Sequence, residues 1–201
     1  MPHRGIDRRD ALRRIAVGGM GAVTSALWVE NLSALAQVQA EHVHTALVTA
    51  QGTGAWAPKV LSAQQHKTVA ALVELIIPQT DTPGAKAALV DRFIDTLLEG
   101  AERPDRDRFL SGLAWLDARS QALYRSDFGS ASPPQQADLL TRLSADASTE
   151  APAGVEFFTA VKSMTITGYY TSEIGLRDEL GDNGQLFLPA FEGCTHPEHQ
   201  R

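Results

Sequence analysis

The chain has 201 residues, an apolar share of 43%, a charged share of 21%, a formal net charge of −6 and one cysteine. That length suits one domain with extensions, and the balance of apolar to charged residues argues against wholesale disorder. An acidic balance argues against a protein that reads nucleic-acid phosphates with Lys and Arg. A lone cysteine leaves no internal disulfide framework.

Five of the 18 basic residues (Arg4, Arg8, Arg9, Arg13 and Arg14) crowd into the first fourteen positions, which reads as an address. Arg8-Arg9-Asp10-Ala11-Leu12-Arg13 is followed by Ile15 to Val29, fifteen residues without a charge. That run is shorter than the ~20 apolar residues of a membrane span and is diluted by Gly18, Gly19 and Gly21. A charged start, a short apolar core and small residues before a cut describe a secretory signal, with Ala34-Leu35-Ala36 as the cut and Gln37 as the mature start. Arg8, Arg9, Leu12 and Arg13 resemble the twin-arginine (Tat) export motif, which moves folded proteins. Asp7 stands where that motif has Ser or Thr, and Ala11 where it has Phe. Removing 1–36 leaves 13 basic and 21 acidic residues, an acidic domain expected in an oxidising compartment such as a periplasm. Nothing downstream is long and apolar enough to span a bilayer.

Gln37 to Lys59, rich in Ala, Gln, Thr and Gly, reads as a linker over 37–60 with Trp56 as an aromatic anchor. A helical domain is expected over 61–180. Ser62-x-x-Gln65 has capping-box form, and Val69, Leu72, Val73 and Ile76 recur at helical spacing up to Pro78. Thr80-Asp81-Thr82-Pro83-Gly84-Ala85 is turn chemistry. Val90, Phe93, Ile94, Leu97 and Leu98 then form the clearest stripe of the chain, with Asp91, Arg92 and Asp95 read as lying outside it. Pro104 opens a third helix on Phe109, Leu113, Leu116 and Leu123, with Trp115 beside that face. Ser132-Pro133 starts a fourth on Leu139, Leu140 and Leu143. A fifth follows Gly154, with Val155, Phe158, Val161 and Met164 inward. No stretch alternates with a period of two. The expected fold is all-α, a small bundle of about five helices.

From Thr165 to His199 the chain reads as apolar but broken by Gly168, Gly175, Gly181, Gly184, Pro189, Gly193 and Pro197, an irregular tail whose last part is residues 181–201. Tyr169, Tyr170, Glu173, Phe187 and Phe191 are its candidate docking residues, for a tail of this kind must lie on its own domain or on another protein.

Motifs of an independent enzyme are missing. There is no glycine fingerprint between strand and helix, no phosphate-binding loop and no nucleophile elbow. Cys194, His196 and His199 offer three metal ligands where a structural zinc site takes four. His42 and His44 fall in the expected linker and read as solvated. Glu173, Asp178 and Glu179 read as the solvated end of a helix. No catalytic, cofactor-binding or metal-ligating residue is assigned. Cys194 leaves two readings open, a disulfide to another chain and a free thiol.

Ile76-Ile77-Pro78 with TDTPGA over 80–85, Gly168-Tyr169-Tyr170-Thr171-Ser172-Glu173-Ile174-Gly175 with Glu179-Leu180, and Phe191-x-Gly193-Cys194 together resemble the gluconate 2-dehydrogenase subunit 3 family. The resemblance runs from about Leu61 to the end of the chain. It implies a non-catalytic small subunit of a membrane-associated, FAD-dependent sugar or sugar-acid dehydrogenase. FAD would sit in a GMC-type large subunit and haem c in a multihaem cytochrome subunit. The small subunit would carry the signal read by the Tat translocase and bring the large one across, leaving the complex in the periplasm at the inner membrane. The alternative from the residues alone is a stand-alone periplasmic helical module that binds a ligand.

Overall fold

The computed structural model describes residues 27–51, 56–145 and 149–184, without the side chains of 48–51. Six α-helices lie among them: α1 (Leu27–Gln51), α2 (Ala63–Ile76), α3 (Val90–Gly100), α4 (Arg103–Tyr124), α5 (Pro133–Ser144) and α6 (Pro152–Tyr170). A 3₁₀ turn, Phe128–Ser130, separates α4 from α5, and a π-helical turn, Ile174–Glu179, follows α6. No described residue is in a strand, so the all-α reading holds.

The helix starts follow from local chemistry. Ser62 Oγ accepts the Gln65 amide at 3.2 Å while Gln65 Oε1 accepts the Ser62 amide at 2.9 Å, so two orphan donors of the first turn of α2 are satisfied reciprocally. Gln135 does the same for the Ser132 amide at 2.9 Å ahead of α5, where Pro133 and Pro134 fill positions that need no donor. In α3, Val90, Phe93, Ile94, Leu97 and Leu98 are completely buried, each contributing about 1.5–3 kcal/mol of apolar transfer.

α6 is the axis of the bundle and packs against each of α1 to α5. Its sequence accordingly shows little amphipathic contrast: Phe157, Phe158, Ala160, Val161, Met164, Thr165 and Tyr169 are all buried. α4 runs antiparallel to its N-terminal half. A Cβ on Gly112 would fall 2.4 Å from the Phe157 ring, and one on Gly154 2.2 Å from Trp115, so both glycines permit the helices to close.

α1 corrects the linker reading of 37–60. Residues 37–51 are helical, and the helix begins ahead of them at Leu27. Its inward face is Trp28, Leu32, Ala36, Ala40, Val43 and Leu47, all buried in the common core. The Ala and Gln content that suggested a linker is helix-forming, and alanine at 36 and 40 lets α1 approach its neighbours closely. α1 lies parallel to α6, tied at one end by Trp28 Nε1 donating to Glu156 Oε2 at 3.1 Å and at the other by His44 against Thr171 at 2.9 Å. Arg8, Arg9, Leu12 and Arg13 lie outside the described residues.

Asp91 and Asp95 are a second correction. Both are buried, not outside the α3 stripe. Asp95 accepts the backbone amides of Lys59, Val60 and Leu61 at 2.7, 3.1 and 2.9 Å, fixing the segment that leads into α2. Asp91 Oδ2 stands 2.7 Å from His66 Nε2. Trp56 is an anchor as expected: its ring lies 4.8 Å from that of His66 and under the Arg92 guanidinium at 5.1 Å.

Candidate functional site

The two sequence stretches singled out above, TDTPGA and GYYTSEIG, meet at one end of the bundle. α2 ends ahead of Pro78, and the loop behind it wraps around a single carboxylate. Glu74, in the last turn of α2, accepts the amides of Gln79 and Lys86, both at 3.0 Å. Gly84 passes so close that a Cβ there would stand 2.6 Å from both the Gln79 nitrogen and Glu74 Oε1. The Ala85 amide donates to Ile77 O at 2.9 Å, closing the loop on the helix it left. At the exposed tip Thr80 Oγ1 donates to Asp81 Oδ1 at 2.8 Å, and that bond holds the Asp81 carboxyl below the usual carboxylate range.

α6 reaches this loop with Tyr169. Its ring is buried and its hydroxyl donates to Pro83 O at 2.8 Å. Ser172 Oγ donates to Tyr169 O at 2.6 Å and accepts the Gly175 amide at 3.0 Å, turning the chain from α6 into the π-helical turn. A Cβ on Gly175 would fall 2.0 Å from Tyr169 O, so only glycine fits where the turn folds back. Thr82 Oγ1 then donates to Glu179 Oε2 at 2.5 Å, joining the loop to the far side of the turn. Side chain–backbone bonds, with Thr82–Glu179 between side chains, knit this end into one platform, and the Asp182 amide donates to Leu176 O at 2.8 Å where the chain leaves it.

Apolar and charged side chains are both exposed around this end. Ile166 and Tyr170, one turn apart on α6, are 42% and 36% exposed, and Leu180 at the close of the π-helical turn is 59% exposed. Glu173 and Arg177 pair beside them at 3.1 Å, and Asp178 is exposed. Tyr170 stands edge-on to Tyr169, ring centroids 5.2 Å apart, so the buried ring orients the exposed one.

The candidate docking residues therefore divide. Tyr170 and Glu173 share the exposed face. Tyr169 does not: it is core, and its part is to anchor TDTPGA from within. Phe187, Phe191 and Cys194 lie outside the described residues, as do His196 and His199. The tail reading of Thr165 onward is corrected for its first part, because α6 continues to Tyr170 and the π-helical turn to Glu179. His44, read as solvated, is half-buried, stacked on Phe93 with ring centroids 5.0 Å apart. Burial there lowers its pKa, with a backbone hydrogen bond to Gly168 pulling the other way. Glu74, Ser172 and Asp95 are the site and frame residues that the sequence reading missed.

Among the described residues no three His, Cys, Asp or Glu side chains stand together as metal ligands. With no described strand, the strand–glycine turn–helix that cradles a dinucleotide has no place among them. An open groove of about 290 Å³ lies between α2, α5 and α6, lined by Leu75, Ile76, Leu140, Phe158 and Lys162. It is at the lower edge of the ~300–1,000 Å³ of small-molecule sites. No described helix is long and apolar enough to cross a membrane.

In comparison with known proteins, the family model described as gluconate 2-dehydrogenase subunit 3 matches residues 63–184. That span runs from the first residue of α2 through the π-helical turn to the last described residue. No curated protein sequence and no solved structure matches the chain.

Proposed function

The chain belongs to the gluconate 2-dehydrogenase subunit 3 family, and from that premise we propose that it is the non-catalytic small subunit of a periplasmic, membrane-associated, FAD-dependent dehydrogenase. In this reading it supports folding and assembly of a GMC-type flavoprotein large subunit and carries it through the Tat translocase on its own Arg8-Arg9 signal. FAD resides in the large subunit and haem c in a multihaem cytochrome subunit that this chain meets only indirectly. The substrate is a sugar or sugar acid bound by the large subunit.

The observation that carries the docking part of this reading is the platform. Its two motif segments lie inside the family match, and its interior is fully bonded while Ile166, Tyr170 and Leu180 remain exposed outside. Exposed apolar side chains with an aromatic anchor and a charged margin have the anatomy of an interface. Phe187 and Phe191 remain docking residues of this proposal, and Cys194 its candidate for an intersubunit disulfide, on sequence alone.

Co-expression tests the reading. The chain, tagged at its C-terminus, is produced with the neighbouring open reading frames and recovered from the exported fraction. A large yellow partner that copurifies with it, and that stays in the cytoplasm when the chain is omitted, is the expected result. A shift of that partner between non-reducing and reducing gels would assign Cys194 to an intersubunit disulfide. A lone monodisperse monomer, with the flavoprotein exported without it, would overturn the subunit reading in favour of a ligand-binding module.

A further inference from the structure

We infer that residues 27–36 remain in the exported protein, so that the signal is either cut before Leu27 or not cut at all. The small-residue pattern Ala34-Leu35-Ala36 offers a cut before Gln37, but the structure places that bond inside α1, a helix of 25 residues. A processing peptidase holds the residues before the cut in an extended strand and reads the small side chains at the first and third positions ahead of it. Here the chain at those positions is helical, and Ala36, which would fill the first of them, has no exposed surface. Sites of limited proteolysis are exposed and irregular; Ala34 and Gln37 are exposed here, but the bond lies in a regular helix with Ala36 buried beneath it.

The residues on the N-terminal side of that bond are structural. Trp28, Val29 and Leu32 are buried in the common core with exposures of 4, 7 and 1%. Trp28 Nε1 donates to Glu156 at 3.1 Å, and Asn31 Nδ2 donates to Asp105 at 3.0 Å, linking this turn of α1 to α6 and α4. A cut after Ala36 would remove the first ten residues of α1 and open the core along the N-terminal half of α6. A Tat substrate meets the peptidase already folded, so the cut would have to unfold this packing first. This last step rests on the export reading above. The packing does not, and it defines at most Met1–Ala26 as removable.

The N-terminus of the chain recovered from the exported fraction, read by intact mass and N-terminal labelling, decides the point. A first residue at or before Leu27 is expected, and a chain beginning at Gln37 would overturn the inference. Fractionation reports on export separately, so a chain retained in the cytoplasm counts against the export reading alone. Trp28→Ala supplies the second arm in whichever compartment the chain is found. With residues 27–36 present, the variant should unfold about 10 °C lower than the parent chain. If the segment is removed, the exported variant and parent have the same mass and the same unfolding temperature, which contradicts the inference. If the segment is present and the variant unfolds with the parent, its packing is not structural and the inference fails as well. Conservative Trp28→Phe, which keeps the ring and loses the donor to Glu156, should recover most of the stability and guards against a variant that does not fold.

Discussion

The two ends of α6 differ in what they do with their surfaces. At the N-terminal end, Gly154 and Gly112 admit Trp115 and Phe157, and Trp28 reaches Glu156. Arg119 meets the buried Glu150 with two bonds of 2.7 and 2.9 Å. Contacts there run inward from several helices, and among the described residues Leu27, at the start of α1, is the one large apolar side chain left exposed beside them. At the C-terminal end the interior is equally well bonded through Tyr169, Glu74 and Ser172, yet Ile166, Tyr170 and Leu180 are left outside. Comparable internal order with unlike surfaces separates two requirements. Stability accounts for most of the first end, while the cluster of exposed apolar groups at the second is what the proposed docking role would explain.

Variants can break or sharpen that contrast. Phe93 lies where α1, α3 and the C-terminal half of α6 meet, fully buried with His44 stacked on it. Phe93→Ala should cost about 3–5 kcal/mol of folding stability by chemical denaturation, and a loss below about 0.5 kcal/mol would mean that the stripe is not core. Next comes Asp95→Ala, which strips three backbone amides of their acceptor and should cost about 2–4 kcal/mol. Tyr169→Phe keeps the ring and loses the bond to Pro83, at about 1 kcal/mol in the same assay. It should also weaken partner binding, because the hydroxyl holds the TDTPGA loop at Pro83. If stability falls and binding does not, the platform is structure alone.

A smaller effect is expected from pH. His44 has its pKa lowered in the folded chain by burial against Phe93, so the unfolded chain binds more protons once pH falls towards about 6.5. Stability should be insensitive to this group above that pH, where it is neutral in both states, and should decline as pH falls through and below it. His44→Gln should flatten the acid side of the stability profile, and an unchanged profile would remove His44 from the account.

Much of this architecture was legible. Helical spacing identified α2 to α5 and the body of α6; the capping box read at Ser62 is present, and Ser132, read as a helix start, proves to be a second one. What failed did so for physical reasons. Asp91 and Asp95 were placed outside because charge normally is, and only the tertiary fold brings the Lys59–Leu61 amides to Asp95. α1 was missed because alanine carries its inward face at 36 and 40, although the series 28, 32, 36, 40, 43, 47 has helical period once Ala counts as apolar. Tyr169 was read as docking through its composition. The series 161, 164, 165, 168, 169, 172, all buried, puts it inside and Tyr170 outside. Gly168 was read as a breaker, but it is the point in α6 where a Cβ would fall 2.7 Å from the Phe93 ring. The turn itself was read from TDTPGA, but its wrapping around Glu74 had no local signature, because those bonds depend on where α2 stops.

The most direct test of the central claim is to compare the full chain with an Ile166→Ser/Tyr170→Ser double variant in the same co-purification with the flavoprotein subunit, alongside its unfolding temperature. Both side chains are partly exposed and Tyr170 gives up its edge contact with Tyr169, so the fold should persist at a cost of about 1–2 kcal/mol. Loss of an aromatic anchor and its apolar neighbour should lower partner recovery at least about tenfold. Undiminished recovery with an intact fold would contradict the assignment of this end of α6 as the docking surface.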